Sequence, residues 1–226
     1  MPTTGNCANE SSPTIGRVEA IGSDEGRRLI LIHEKLGSAC RSPLAYYGLR
    51  IDGQLMGCVC FAHGPSPLMR NVCGIDYRHR VVCLMRGCTV PGAPRNSGSY
   101  LVRHACEAAA VDFGWGVFYG YADPVFSSEN GLLYRAAGWE YIGQGLGRRP
   151  GKRHLNWRSP DGKLITSFNR KLRDKKKMFA LSFKPEVSFP KKVFIFFEDK
   201  SLAFRCKFPP VPFEKTAGRN GTRSIV

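Results

Sequence analysis

The sequence predicts an α/β fold in which a mixed central sheet is flanked by helices and followed by a basic C-terminal extension. Strand-like runs alternate with amphipathic helical stretches along the middle of the chain, the pattern of a layered α/β domain. The 226 residues are 42% hydrophobic and 11% aromatic, enough to bury one substantial core. Charge is lopsided: of the net +16, residues 1–145 contribute 13 basic against 12 acidic side chains, and residues 146–226 contribute 21 against 6.

The elements follow from local signals. Residues 1–22 are rich in Gly, Ser, Thr and Pro and read as a flexible tail. Ser23-Asp24-Glu25 supplies a cap and early acids for a helix over 24–36, closed by Gly37. Leu44–Ile51 and Leu55–His63 are strands joined at Asp52-Gly53, an antiparallel hairpin signal. A short helix falls within Pro65–Cys73, and Arg80–Val90 has the Val, Cys and Leu content of a central strand. After the Pro-Gly break a long helix spans Asn96–Phe113, with Leu101, Ala105, Ala108 and Val111 at helical spacing. Gly116–Tyr121 is a strand ended by Ala122-Asp123-Pro124, Glu129–Ala137 a helix stopped by Gly138, and Trp139–Ile142 a further strand. His154–Trp157 and Leu164–Ser167 flank a Ser159-Pro160-Asp161-Gly162 turn. Phe168–Lys177 reads as a basic helix or linker, and Lys192–Phe197 with Leu202–Phe208 as a last strand pair. The expected organisation is a tail over 1–22, a domain over 23–167 and a basic extension over 168–226.

Apolar runs such as Val193–Phe197 fall far short of the roughly 20 residues of a membrane span. The N-terminus lacks the charged-then-apolar pattern of a secretory signal, so a cytoplasmic location without membrane attachment is expected. Nine cysteines lie singly and mostly within apolar runs, as reduced core thiols do. Cys58-Val59-Cys60 lacks the two-residue gap of a zinc knuckle, and no metal site is expected. The basic segment is the electrostatic footprint of a nucleic-acid binder, since phosphate contacts supply most sequence-independent affinity. A nucleic acid is the expected partner. Arg148, Arg149, Lys152, Arg153, His154 and Trp157 are the candidate contacts, the aromatic and imidazole rings being able to stack on bases.

A strand, a Pro-Gly break and then Arg95-Asn96-Ser97-Gly98-Ser99 at the head of a long helix form a phosphate-binding arrangement, in which first-turn amides and the helix dipole favour an anion. Asn96 or Ser97 acting as a plain cap is the simpler alternative. The hairpin, central strand, Arg-x-x-Gly-headed helix, strand and Asn130-Gly131-Leu132-Leu133-Tyr134-Arg135-Ala136-Ala137-Gly138-Trp139 segment resemble the GNAT acyltransferase superfamily in order and spacing. The resemblance implies a GNAT-like mixed sheet, with Arg95, Asn96, Ser97, Gly98 and Ser99 at the pyrophosphate loop of an acyl-coenzyme A donor. Tyr100 departs from it, standing where those enzymes usually carry a small residue.

A more particular resemblance, over about residues 40–160, is to the Mom family of phage DNA modification proteins. It rests on Pro94-Arg95-Asn96-x-x-Ser99, Tyr121-Ala122-Asp123, Gly131-x-x-Tyr134-x-Ala136-x-Gly138-Trp139-x-Tyr141-x-Gly143 and Lys152-Arg153-His154. It implies a transferase that converts adenine in phage DNA to an N6-carbamoylmethyl form, protecting it from host restriction within the host cytoplasm. An exocyclic amine is a poor nucleophile that must be positioned, deprotonated as it attacks and held out of the stack. Asp123, at a strand end, suits the proton acceptor; Tyr121 could donate to the reaction centre or stack on the base; Tyr134 could act as general acid; His63 ends the second hairpin strand. A turn cap for Asp123 and packing roles for the others are the alternatives. The small-molecule group donor is open between an acyl-coenzyme A type and another compound, with iron also compatible. The rival functions are an acetyl-coenzyme A dependent N-acetyltransferase for a protein or small amine, and a non-catalytic nucleic-acid-binding protein on the same scaffold.

Overall fold

A computed structural model describes residues 16–34, 38–122, 131–144 and 191–212, and the backbone of 155–158, 164–165 and 184–187. Its strands are β1 (Arg17–Ala20), β2 (Pro43–Ile51), β3 (Gln54–Ala62), β4 (Val81–Thr89), β5 (Val117–Ala122), β6 (Glu140–Gln144), β7 (Leu155–Arg158), β8 (Leu164–Ile165), β9 (Lys184–Val187) and β10 (Lys192–Phe197). Its α-helices are α1 (Ser23–His33), α2 (Pro67–Arg70), α3 (Ser97–Phe113) and α4 (Leu132–Ala136). Seven strands form the main sheet in the order β1-β2-β3-β4-β5-β10-β6, and β8-β7-β9 form a separate small sheet. This is the mixed central sheet between helices that the sequence predicts.

Asp52 (φ 50°) and Gly53 (φ 77°) turn the β2–β3 hairpin tightly, with Ile51 opposite Gln54. Two adjacent positive φ values are the geometry whose twist matches a hairpin, and Asp-Gly adopts it at low cost. The β3–β4 register loses a step, because Cys60 faces Arg86 while Phe61 faces Leu84, leaving Met85 as a bulge on β4. Parallel pairing of β4 with β5 covers only Val81↔Val117, Val82↔Phe118, Cys83↔Tyr119 and Leu84↔Gly120. β4 then continues against β3 to Thr89 while β5 continues against β10 to Ala122. A wedge therefore opens in the sheet just past Leu84 and Gly120, beside the bulge.

The two faces are packed differently. On one, α3 and α4 cover Tyr47, Phe61, Leu84, Phe118, Phe194 and Phe196. On the other, Met69 of α2 and Leu202 cover Val81, Cys83, Val117, Tyr119, Val193 and Ile195, while Ile30 of α1 covers Tyr46, Cys58 and Cys60. The α3 stripe that faces the sheet is Leu101, Val102, Ala105, Cys106 and Ala109; Val111, placed by spacing on that stripe, is 86% exposed. Cys58, Cys60, Cys73, Cys83 and Cys106 are buried free thiols, as expected.

Three expectations are corrected. Residues 17–20 are not tail but the edge strand β1, with Val18 opposite Leu49. The region beyond 168 is not simply an appendage, since β10 lies between β5 and β6 with both faces buried. That burial explains a run of Val, Phe and Ile without alternation. Lys192–Phe197 has no strand partner at 202–208; residues 200–205 form a 3-10 helix instead, with Asp199 accepting the Ser201 amide at 3.0 Å and the Arg80 guanidinium at 2.8 Å. The Phe168–Lys177 segment lies outside the described residues, whereas the hairpin around Ser159–Gly162 is represented by β7 and β8, with Trp157 opposite Ile165.

Candidate active site

The site is built around the wedge. Tyr134, on α4, lies over Gly120: a Cβ placed there would fall 2.7 Å from the Tyr134 hydroxyl. A lone glycine in the aromatic run Phe118-Tyr119-Gly120-Tyr121 is the mark of such a close approach. Tyr134 stacks on Phe194 of β10 at 5.2 Å and 15° and tilts against Trp139 at 4.9 Å. Aromatic packing thus fixes the phenol at the last paired position of the parallel seam. Gly131, at φ +94°, opens α4 against the Phe194 ring, with which any Cβ would collide. Burial pushes the Tyr134 phenol well above the ordinary tyrosine value, so the group stays protonated at neutral pH.

The α3 N-terminus borders the same face. Asn96 occupies the left-handed region at φ 67° and makes no side-chain cap. The capping alternative for it is therefore not what the geometry shows. Ser97 is buried and donates its amide to Pro94 O at 3.1 Å, so it makes no open contact surface. Ser99 Oγ donates to Asn96 O at 3.0 Å. The first full helical bond is Tyr100 N–H to Asn96 O at 3.0 Å, which leaves the Gly98 and Ser99 amides ahead of the ladder. Arg95 is exposed beside them.

Tyr100 does not block this end of the helix. Its hydroxyl donates to Gly16 O at 2.8 Å and its ring packs on His104 at 4.1 Å, carrying it toward β1. The residues present therefore fit a phosphate-bearing donor such as an acyl-coenzyme A: Arg95 for charge, and Gly98 and Ser99 for backbone amides. Gly98 also faces Leu133 of α4, whose Cδ1 would lie 3.0 Å from an added Cβ.

The opposite face of the wedge carries different groups. Tyr121 points away from Tyr134, since successive strand residues alternate, and meets Tyr119 edge-on at 5.8 Å and 87°. Ser66 lies beside its phenol, which burial raises above the usual range. His63, one residue past β3 and largely exposed, is held below the ordinary imidazole value by partial desolvation and then by Arg70. The wedge thus separates Tyr134 and the α3 terminus from His63 and Tyr121. Asp123 lies outside the described residues, one residue beyond Ala122 at the end of β5. Arg148, Arg149, Lys152, Arg153 and His154 also lie outside them, and Trp157 is placed by backbone alone on β7. Among the described residues no three His, Cys, Asp or Glu side chains cluster as metal ligands. Nor is any described helix long and apolar enough to cross a membrane. Sequence reasoning missed Gly120, Phe194, Arg70 and Tyr119; only Gly120 carried a local signal.

A β-bulge beside a parallel seam that parts, with a helix N-terminus and a tyrosine at the opening, defines an α/β protein with a cleft in its mixed central sheet. The chain belongs to the Mom protein family, whose family model matches residues 16–215. No curated protein matches it. Among solved structures it is similar to an IAA acetyltransferase from Bacillus cereus (12% identity, TM-score 0.46, 81% of this chain and 99% of that one). It is likewise similar to a Bacillus subtilis acetyltransferase in complex with CoA (12% identity, TM-score 0.45, 81% and 99%). A structure from Salmonella typhimurium, described as a putative acetyltransferase with its cofactor acetyl-CoA, shares 8% identity at TM-score 0.46, covering 82% and 95%.

Proposed function

We propose that this protein is a transferase that modifies the exocyclic N6 amine of adenine in double-stranded DNA, giving an N6-carbamoylmethyl adenine that escapes restriction. The observation that carries the reading is the Tyr134 hydroxyl held over Gly120 at the opening of the seam. Membership of the Mom family supports it. The donor lies with its anionic portion at Arg95, Gly98 and Ser99, and its reactive carbon enters the wedge. The adenine approaches from the side of His63 and Tyr121. As the N6–carbon bond forms, Asp123 takes the N6 proton, and the donor's leaving group departs with the bonding electrons and is protonated by Tyr134. Preorganised donors aimed at the developing charge lower the barrier without reorganisation. For this product the donor carries its leaving group on the methylene carbon of the carbamoylmethyl unit, whereas attack on the thioester carbon of an acyl-coenzyme A would give an N6-acyl adenine.

The same helix terminus favours one second reading, an acetyl-coenzyme A dependent N-acetyltransferase for a protein or small amine. Nucleoside masses from DNA of cells making the protein separate the two. A heavier deoxyadenosine that disappears in Tyr134→Phe supports DNA modification; unmodified deoxyadenosine at full expression of a folded protein rejects it.

A further inference from the structure

Cys58 of β3 and Cys88 of β4 stand directly opposite each other across two antiparallel strands, so both thiols project from the same face of the sheet. That face is the one covered by α1, where Cys58 is buried and Cys88 packs half-buried against it. The Val90 amide donates to Met56 O at 2.9 Å, which makes Met56 and Val90 a hydrogen-bonded pair and, two residues along each strand, Cys58 and Cys88 another. The Cα atoms of such a pair are about 5.5 Å apart, inside the range that a disulfide spans. Their Cβ atoms are also about 5.5 Å apart, wider than the ~3.8 Å of a relaxed bridge. A bond formed here draws the two strands together, and its strain makes it readily reducible.

The two thiols are hydrogen-bonded to each other, which holds Cys88 below the ordinary thiol value and, together with burial, Cys58 far above it. The accessible member is therefore the better thiolate. We propose that Cys58 and Cys88 form a reversible disulfide, a redox switch on the opposite side of the sheet from the head of α3. The Cys88 thiolate attacks one sulfur of a small-molecule disulfide and expels the first thiolate. Cys58 then attacks the Cys88 sulfur of the mixed disulfide, expels the second thiolate and gives up its proton to it. Two electrons pass from the cysteine pair to the small disulfide, which leaves as two thiols. Close packing carries the change through the sheet. A Cβ at Gly57 would lie 2.8 Å from Cys88 O and 3.2 Å from the side chains of both Leu101 and Thr89, and a Cβ at Gly98 would lie 3.8 Å from the same Thr89 methyl. With so little slack between β3, β4 and α3, drawing Cys58 toward Cys88 displaces the Gly98 end of the helix. The bridge itself is independent of the transferase reading, on which only the role of that helix end in holding a donor rests.

The test treats the full-length protein with excess bis(2-hydroxyethyl) disulfide, blocks the remaining thiols with iodoacetamide and maps the peptides by mass without reduction. The expected product joins the Cys58 and Cys88 peptides with the loss of two hydrogens, and dithiothreitol reverses it. Cys88→Ser should abolish the bridge, and Cys58→Ala should stop at a mixed disulfide on Cys88. Where Cys58→Ala fails to fold, alkylation of the reduced wild type decides the order of attack, Cys88 reacting about tenfold or more faster than Cys58. The Gly98 and Leu101 amide resonances should shift on oxidation and return on reduction. Free thiols throughout, or a bridge at another pair such as Cys40 with Cys60, overturn the switch. Equal alkylation rates overturn Cys88 as the attacking thiol, and unmoved amide resonances overturn the coupling to α3. A reversible Cys58 to Cys88 bridge in a protein that leaves deoxyadenosine unmodified keeps the switch and rejects the DNA reading, so the two fail separately.

Discussion

Tyr134 covers Gly120 so closely that an added methyl would fall 2.7 Å from both its hydroxyl and its Cε1. The ring cannot swing aside, because Phe194 and Trp139 hold its other surfaces. Gly120→Ala should therefore cost about 1–3 kcal/mol through overpacking, read as a lower melting temperature. It should also displace the phenol and reduce modified adenine. Tyr134→Phe keeps the stack and should leave the melting temperature nearly unchanged while modified adenine falls about 100-fold or more, the usual range for losing a general acid. Wild-type modification in a folded Tyr134→Phe would reduce the tyrosine to packing.

His63 links stability to pH. Its folded-state value lies below that of a free imidazole, from partial desolvation and then from Arg70, so the unfolded chain binds the proton more readily. Stability is therefore intact above about pH 6.5 and declines as pH falls through that value toward the folded-state one. His63→Gln should flatten the acidic side of the melting temperature against pH curve. An unaltered curve would show that another group sets it.

Asp123 follows β5 directly and is assigned the N6 proton. Asp123→Asn keeps size and most hydrogen bonding but removes the base, and modified adenine should fall about 100-fold or more while DNA binding persists. A turn-capping Asp123 would tolerate asparagine with near-normal activity.

The proposed DNA contacts fall in the segment between β6 and β10. Gln144 of β6 faces Lys192 of β10, so residues 145–191 leave and re-enter the main sheet at the same place. They carry 14 basic and 3 acidic side chains. Replacing them with a four-residue Gly-rich turn should leave a folded sheet with the same circular dichroism in its core. DNA affinity should weaken, and the slope of log affinity on log salt should flatten by about 0.9 for each phosphate no longer neutralised. An unchanged slope would place DNA binding on the main sheet.

Local signals in the sequence located the hairpin at Asp52-Gly53, the long α3 and the Tyr134 helix, because each is specified by neighbouring residues. Partnership across long separations was not legible. Lys192–Phe197 reads as a strand from its own composition, but nothing in it says that Val193 will face Tyr121 on one side and Gly143 on the other. A truncation at 168, natural if that region were an appendage, would remove the strand that joins β5 to β6. β1 was hidden by the Gly- and Pro-rich stretch before it and by having only four residues. At the site, Arg95 was suggested by its place at the head of a long helix and Tyr134 by the family resemblance. The pairing of Cys58 with Cys88 was not legible, since it depends on register rather than on either strand alone.

The parallel seam has a mechanical consequence. Only four paired positions join β1-β2-β3-β4 to β5-β10-β6 in the backbone ladder, whereas within each half the strands are antiparallel neighbours. Parallel pairing is slightly weaker per residue than antiparallel pairing, so compliance concentrates along this line. The backbone ladder between the two halves is thus thinnest at the cleft, and the side-chain cores on both faces carry the rest of the coupling. Amide exchange should be faster at Leu84 and Gly120 than at Val59 or Ile195, and ligands that seat in the cleft should slow it there first.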